Sequence, residues 1–482
     1  MSRRIVNLEI NEIPPSLFLN YINNIRNKES TLKDLKDRNL LTIYTTKAND
    51  VSKNKLYPSQ TWASFLTGKP YSEHKCYWYS DYIDYKDLLW SKLALNNKSS
   101  GILGSLHSSK IPNNLFCDSN FKFYIPDCFS SINTTKPREY KDFQSLNISL
   151  VNKAGRVTGL RNLIKDFLSY FLKLLINPRK FGISIFSLKM ILRIIYYSFK
   201  YRNKELLRMA QFPLIGSLFN DLFLNHLPDY SSLFSNHIAG NMHRYWYAHD
   251  RSNYKIKDKY DEIWIKNNKH SINISFTLLD EYIKFLLKKK DFKDATILIT
   301  SSMGQEPNPR FDERVLNNYS GKITNLKKFL FHLKKYQKKR YNLELDFKIG
   351  RNMAPQYGFY IPPNTDNIDV AFVSQTVRDF VTSIGLTNKV DFEGDSIVLT
   401  LNPNVDENLQ KNYSMIDAIN KYSRYGLEFF PVKDHHSGSH SPYGILVAIN
   451  CTDKFKNHIN QNIESDGKIN YLNFPRIILD NA

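Results

Sequence analysis

Cysteine is scarce in this chain. Cys76, Cys117, Cys128 and Cys451 are the only four in 482 residues, and no two form a C-x-x-C pair. That spacing excludes a zinc ribbon and a thioredoxin-like motif, and so few thiols over such a length argue against a disulfide framework. A reducing compartment, the cytoplasm, is the expected location. Uncharged apolar runs of about 18 residues are also absent, so no spanning helix is expected. The opening stretch MSRRIVNLEINEIPPSLF has a short basic start, but Glu9, Asn11 and Glu12 interrupt its apolar run, which is not the pattern of a secretory leader. Internal repeats and low-complexity linkers are missing too. Negative charge is in short supply: 46 Asp and Glu face 67 Lys and Arg, a net charge of +21. The basic residues are dispersed and accompany no nucleic-acid motif, which argues against that partner class. A bias toward Lys, Asn, Ile and Tyr accounts for most of the total charge. The excess still suits an anionic small molecule, a glycan- or lipid-linked substrate, or peripheral contact with an anionic membrane.

What is present is a chain 42% hydrophobic, enough for a large core. RIVNLEI (Arg4–Ile10) reads as a buried strand that feeds a helix over Pro14–Arg26, with Ser16 as a candidate cap. Further strands are expected at Leu40–Thr46, Asp221–Leu227, Ser231–Ala239, Asp294–Ser302 and Tyr443–Asn450, and a helix at Ile274–Lys290. This alternation predicts a three-layer α/β/α sandwich. The stretch Gly159–Arg208 is apolar, basic and helical in period, and Pro178 divides it. It reads either as an ordinary helical layer or as a cap or membrane-facing insertion. The expected division is core at 1–155, helical insertion at 156–215, core at 216–309, second insertion at 310–390 and core again at 391–482.

In an open α/β sheet, ligands gather at the carboxyl ends of strands. There the chain offers Asn11 and Glu12, then Asn236 and His237 with His243 beyond, then Ser301, Ser302 and Met303, and finally His435, His436 and His440 before the last strand. Oxygen and imidazole donors converging from several strands suit Zn2+ or another divalent cation. The order of these parts resembles the alkaline-phosphatase superfamily, in its type I phosphodiesterase/nucleotide pyrophosphatase and sulfatase-like branches. IVNLEINEIPPSL is similar to that family's opening strand. YPSQTWASFLTGKPYSEHK (Tyr57–Lys75) is similar to its nucleophile helix, with Thr67, Gly68, Pro70 and His74 matching later parts of the motif. MHRYW (Met242–Trp246), TILITSSMGQ (Thr296–Gln305) and GSHSPYGILVAI follow in the family's order.

The resemblance implies a metal-dependent hydrolase or transferase acting on a phosphate or sulfate ester, with surface-polysaccharide or lipid-linked metabolism as a setting. It also implies losses. The family's aspartates fall on Asn11, Ala239 and Ser302, and a histidine falls on Met303, so one metal site rather than two is expected. By position His243 and His440 remain as ligands. His237, two residues before Ala239, shares its face if the strand continues, and with His436 it is a candidate replacement ligand. For both, an ordinary hydrogen-bonded or solvated histidine is the competing reading. Asn11 is a candidate but weak ligand. Glu12 stands where the family has glycine and could be a ligand, a general base or a helix cap. Thr61 is the candidate nucleophile at a helix start, with Ser59 or Ser64 as alternatives and an N-cap role competing. Lys69, Arg244 and Arg351 are candidate contacts to an anionic group. A binding or scaffold protein on the same fold, with catalysis lost, is the alternative function.

Overall fold

The computed structural model describes residues 3–24, 29–51, 56–79, 81, 83–129, 133–153, 171–309, 311, 319–353, 356–361, 369–385, 389–393, 396–400, 422–431 and 437–482. In chain order its strands are β1 (Ile5–Ile10), β2 (Leu41–Lys47), β3 (Ser100–Leu103), β4 (Phe121–Ile125), β5 (Tyr230–Ser235), β6 (Thr296–Thr300), β7 (Gly304–Pro307), β8 (Tyr319–Ile323), β9 (Lys348–Met353), β10 (Gln356–Tyr360), β11 (Lys389–Glu393), β12 (Ser396–Thr400), β13 (Leu427–Pro431), β14 (Gly438–Ser441), β15 (Tyr443–Ile449) and β16 (Ile469–Asn470).

Eight of them form the central sheet, ordered β16-β2-β15-β6-β1-β5-β3-β4. β1 lies parallel between β5 and β6, and only β15 runs antiparallel to its two neighbours. All six residues of β1 are buried, as a strand covered on both faces requires. Val6, Leu8 and Ile10 face one core with the helices Gln211–His226, His237–His249 and Ser271–Leu286. Ile5 faces the other, with the Pro58–Thr67 and Phe474–Leu479 helices. The three-layer α/β/α sandwich expected from the sequence is therefore present, and the carboxyl end of β1 opens at its middle.

The segment expected as a strand at Asp221–Leu227 is instead the last turns of the Gln211–His226 helix. Its short apolar run, Leu222–Leu224, fits a strand as well as a helix, but Phe212, Ile215, Phe219, Leu222 and Phe223 bury one side at helical spacing. The strand expected to reach Ala239 stops at Ser235, and a helix begins at His237. The first helix starts at Pro15 with Pro14 at its cap position, so Ser16 is not the cap. Its expected last residue, Arg26, lies outside the described residues.

A four-stranded antiparallel sheet, β11-β12-β10-β9, packs with the Leu326–Tyr341 and Val370–Ser383 helices around a third core. The β12–β10 pairing carries this unit past residue 390. The Tyr360 hydroxyl donates to Asp81 Oδ1 at 3.1 Å and ties it to the main body. Around Pro178 a short 3-10 turn separates the Phe171–Ile176 and Ile185–Lys200 helices, and residues 154–170 of that region lie outside the described set. All four cysteines are free. No helix among the described residues is long and apolar enough to cross a membrane.

Candidate metal centre

Three donors meet where β1 ends. Glu12, His243 and His440 each present one ligand atom, and these atoms lie within 4.8 Å of one another. Glu12 is the second residue after β1. Its φ of 62° is left-handed, a conformation that costs a residue with a side chain roughly 1–2 kcal/mol. Glycine would adopt it freely, but only glutamate delivers a carboxylate there. The side chain is buried, with Oε2 at 2.9 Å from His243 Nε2 and 3.7 Å from His440 Nε2. Burial would raise the pKa of Glu12, but the two imidazoles and the Gln305 amide hold it down at about 2.

The histidines come from different elements and are anchored alike. His243 sits in the second turn of the His237–His249 helix, and its Nδ1 meets the Gly438 carbonyl at 3.1 Å. His440 lies in β14, and its Nδ1 meets the Leu56 carbonyl at 2.7 Å. A carbonyl only accepts, so each Nδ1 carries a proton and Nε2 is the ring atom turned toward Glu12 Oε2. A lone pair facing a carboxylate oxygen is repulsive unless a proton or a cation lies between. Ligands on a tetrahedral zinc stand about 3.3 Å apart, and the 2.9 and 3.7 Å separations bracket that value. The residues present thus fit one divalent cation, in a set of three protein ligands that leaves room for a fourth.

Other side chains orient this set. β7 and β14 form a two-stranded antiparallel ladder that sets His440 opposite Gln305. Gln305 Nε2 donates to Glu12 Oε2 and, at 3.2 Å, to the Ala239 carbonyl. Asn11 Nδ2 donates to Glu12 Oε1 at 2.8 Å, while Asn11 Oδ1 accepts the Trp62 indole N–H at 2.8 Å. The Asn11 oxygen, the atom that would bind metal, thus already accepts the indole N–H, and the Asn11 amide orients Glu12. Gln305 and Trp62 were not singled out from the sequence. Gln305 sits in the matched TILITSSMGQ stretch, so that motif was the available signal.

The backbone approaches closely at Gly438. A methyl there would stand 2.7 Å from the Met242 carbonyl oxygen and 2.5 Å from Gln305 Oε1. Gly438→Ala is expected to push β14 away from the helix, cost about 1–3 kcal/mol of stability and weaken divalent-metal affinity about tenfold. Calorimetric metal titration checks it, and an unchanged affinity would show that the ladder does not hold the centre.

Thr61 lies in the first turn of the Pro58–Thr67 helix, one residue before Trp62, and its hydroxyl shares a 2.8 Å hydrogen bond with Ser302. Ser59 is turned away, its hydroxyl donating to the Tyr77 carbonyl at 2.7 Å. Ser64 lies between Asp50 Oδ2 at 2.9 Å and His74 Nε2 at 2.8 Å. His74 Nδ1 accepts the Cys76 N–H, so its proton is on Nε2 and points at Ser64. That tautomer cannot take a proton from the serine, and the trio braces the helix instead of forming a nucleophile–base pair.

His237 is not brought to the centre. With the strand ended, it opens the next helix, stacks on Phe212 at 3.8 Å and meets the Ser235 hydroxyl at 2.8 Å, and burial lowers its pKa to about 3. It behaves as a neutral core histidine. Lys69 lies past the far end of the Pro58–Thr67 helix and pairs with Asp87 at 2.7 Å. Arg244 follows His243 but turns back to the Gly240 carbonyl at 2.9 Å. The backbone of Arg351 belongs to β9, in the smaller sheet, and its side chain is outside the described set. His436 also lies outside the described residues.

No family model and no curated protein matches the sequence. Solved structures do align over nearly the whole chain. Phosphonoacetate hydrolase from Sinorhizobium meliloti 1021, in complex with phosphonoacetate, is 10% identical, with a TM-score of 0.41 over 99% of this chain and 96% of its own. Murine ectonucleotide pyrophosphatase/phosphodiesterase 5 is 9% identical, with a TM-score of 0.38 over 100% and 96%. Its human counterpart is 10% identical, with a TM-score of 0.37 over the same shares. At such distance the likeness is one of overall chain path, and the chemistry must be read from this chain's own residues.

Proposed function

We propose that the protein is a phosphoester hydrolase with a single divalent cation held by Glu12, His243 and His440. The observation that supports this most is the paired anchoring of the two histidines, each fixed at Nδ1 by a main-chain carbonyl and aimed by Nε2 at one carboxylate oxygen. This donor set suits zinc and iron(II) alike. When bound, the ion would supply positive charge to polarise an ester oxygen.

The protein's own residues have distinct tasks in this reading. Glu12, held ionised, supplies the anionic ligand, while Gln305 and Asn11 orient it. Leu56, whose carbonyl anchors His440, lies just before the Pro58–Thr67 helix, so the positive end of that helix begins beside the cation and favours a bound anion. Thr61, hydrogen-bonded to Ser302, offers the hydroxyl for attack. One cation rather than two agrees with Asn11 being committed to Trp62 and with Met303 being packed in the core.

The test is metal content by mass spectrometry together with turnover of generic phosphomonoesters and phosphodiesters. Thr61→Ala is expected to keep the metal and lose roughly a thousandfold in kcat. A metal-bearing wild-type protein that cleaves neither ester class would instead support the binding-protein reading, and cleavage of sulfate esters alone would move the substrate class.

A further inference from the structure

The Ile185–Lys200 helix is closed at its start by a capping box between Ser184 and Ser187. Its buried positions, Ser187, Met190, Ile194 and Ser198, mark one side, against the body of the protein. On the opposite side Ile185, Leu188, Leu192, Tyr196 and Phe199 are all exposed, and at 3.6 residues per turn they fall within an arc of about 80°. Ile185 is 76% exposed, Leu192 64% and Phe199 80%, so these side chains touch little of the protein. Single exposed apolar residues are ordinary, whereas a row of five along four turns is an unpartnered face. Leu175 and Ile176, at the end of the preceding helix, are exposed as well. Lys189 and Lys200 fall together on one flank of the row, where Arg193 also lies but pairs with Glu281 at 3.0 Å.

We propose that this face docks on an anionic lipid bilayer, with the helix lying in the interface plane. Sixteen residues span about 24 Å, short of the roughly 30 Å hydrocarbon core, so this helix lies on a membrane and does not cross it. The apolar row would sink among the acyl chains while the cationic flank meets headgroup phosphates. Charge selects this occupant over a second copy of the chain: pairing two such faces would bring two basic flanks together in a protein of net charge +21. The proposal is independent of the metal centre.

Flotation of the full chain with vesicles tests it. The protein is expected to float with phosphatidylcholine–phosphatidylglycerol vesicles and to stay behind with phosphatidylcholine alone. The double variant Leu192→Glu/Phe199→Glu is expected to partition about a hundredfold more weakly, with unchanged thermal unfolding because both side chains are exposed. As a second readout, the indole added by Phe199→Trp should shift its emission to the blue when the anionic vesicles are added. Equal flotation of wild type and double variant, equal flotation on neutral vesicles, or an unmoved emission overturns the proposal. So does a dimer that the double variant dissolves, which would assign the face to a second copy.

Discussion

Glu12→Gln is expected to leave the protein without bound divalent metal. The amide keeps the size of the side chain, but it is neutral, a poor ligand, and sets its NH2 against one of the two amide donors, Asn11 or Gln305, that the carboxylate accepts. The carboxylate is the single anionic member of the set, so the expected loss in affinity exceeds about a hundredfold, beyond what orienting residues such as Gln305 contribute. Hydrolytic activity should fall with metal content. Glu12, held at about 2, is ionised throughout the neutral range, whereas the amide of the variant has no proton to lose, so raising pH does not restore the ligand. Mass-spectrometric metal content of wild type and variant, purified side by side, decides the matter. Equal stoichiometry would mean that any bound ion sits elsewhere and that the three-residue cluster is a structural ion pair.

Glu9→Gln should make the protein markedly more stable and flatten its pH dependence. Glu9 is the penultimate residue of β1, fully buried on the face that Asn7 shares, and the Asn7 amide donates to its Oε1 at 3.3 Å. Burial pushes its pKa from an ordinary 4.5 up to about 8, against the lowering effect of Ser105 and Asn7. The folded value lies above the unfolded one, so the native state holds this proton more tightly than the unfolded chain does. Its contribution is fully present below pH 4.5, declines as pH rises, and is gone above about 8. At about 1.4 kcal/mol per pH unit, the interval from 4.5 to 7 corresponds to about 3 kcal/mol at neutral pH. Glutamine has no proton to lose and removes that cost. Denaturant unfolding at pH 5 and pH 8 should show wild-type stability falling between the two, with the variant changing much less. Glu12 acts in a different window, between about 2 and 4.5, so the two carboxylates do not confuse the measurement. A wild type as stable at pH 8 as at pH 5 would show that Glu9 is solvated or paired in the native state.

The same two glutamates separate what was legible in the sequence from what was not. β1, β2, β6 and β15 were readable because each is an apolar run of strand length bounded by polar turns, a property carried by neighbouring residues alone. The Gln211–His226 helix was not read in full, because the apolar run Leu222–Leu224 fits a strand as well as a helix and only burial on the longer helical period resolves the ambiguity. His243 and His440 were identifiable from motif order. His237 was misplaced because the end of β5, two residues away, depends on the packing of the helix that follows.

By itself, then, the sequence determined the three-layer α/β class and the strand ends at which donors could gather. Tertiary structure alone decided which neighbour, Asn11 or Glu12, faces the histidines. That choice depends on one left-handed backbone angle at Glu12 and on an indole N–H from Trp62, 51 residues away, that occupies the Asn11 oxygen. Tertiary structure also brought Gln305 opposite His440, through a ladder of four residue pairs joining segments more than 100 residues apart. Local patterns record which residues are apolar and with what period. They do not record a single dihedral or the partner of a distant hydrogen bond, and this site is built from both.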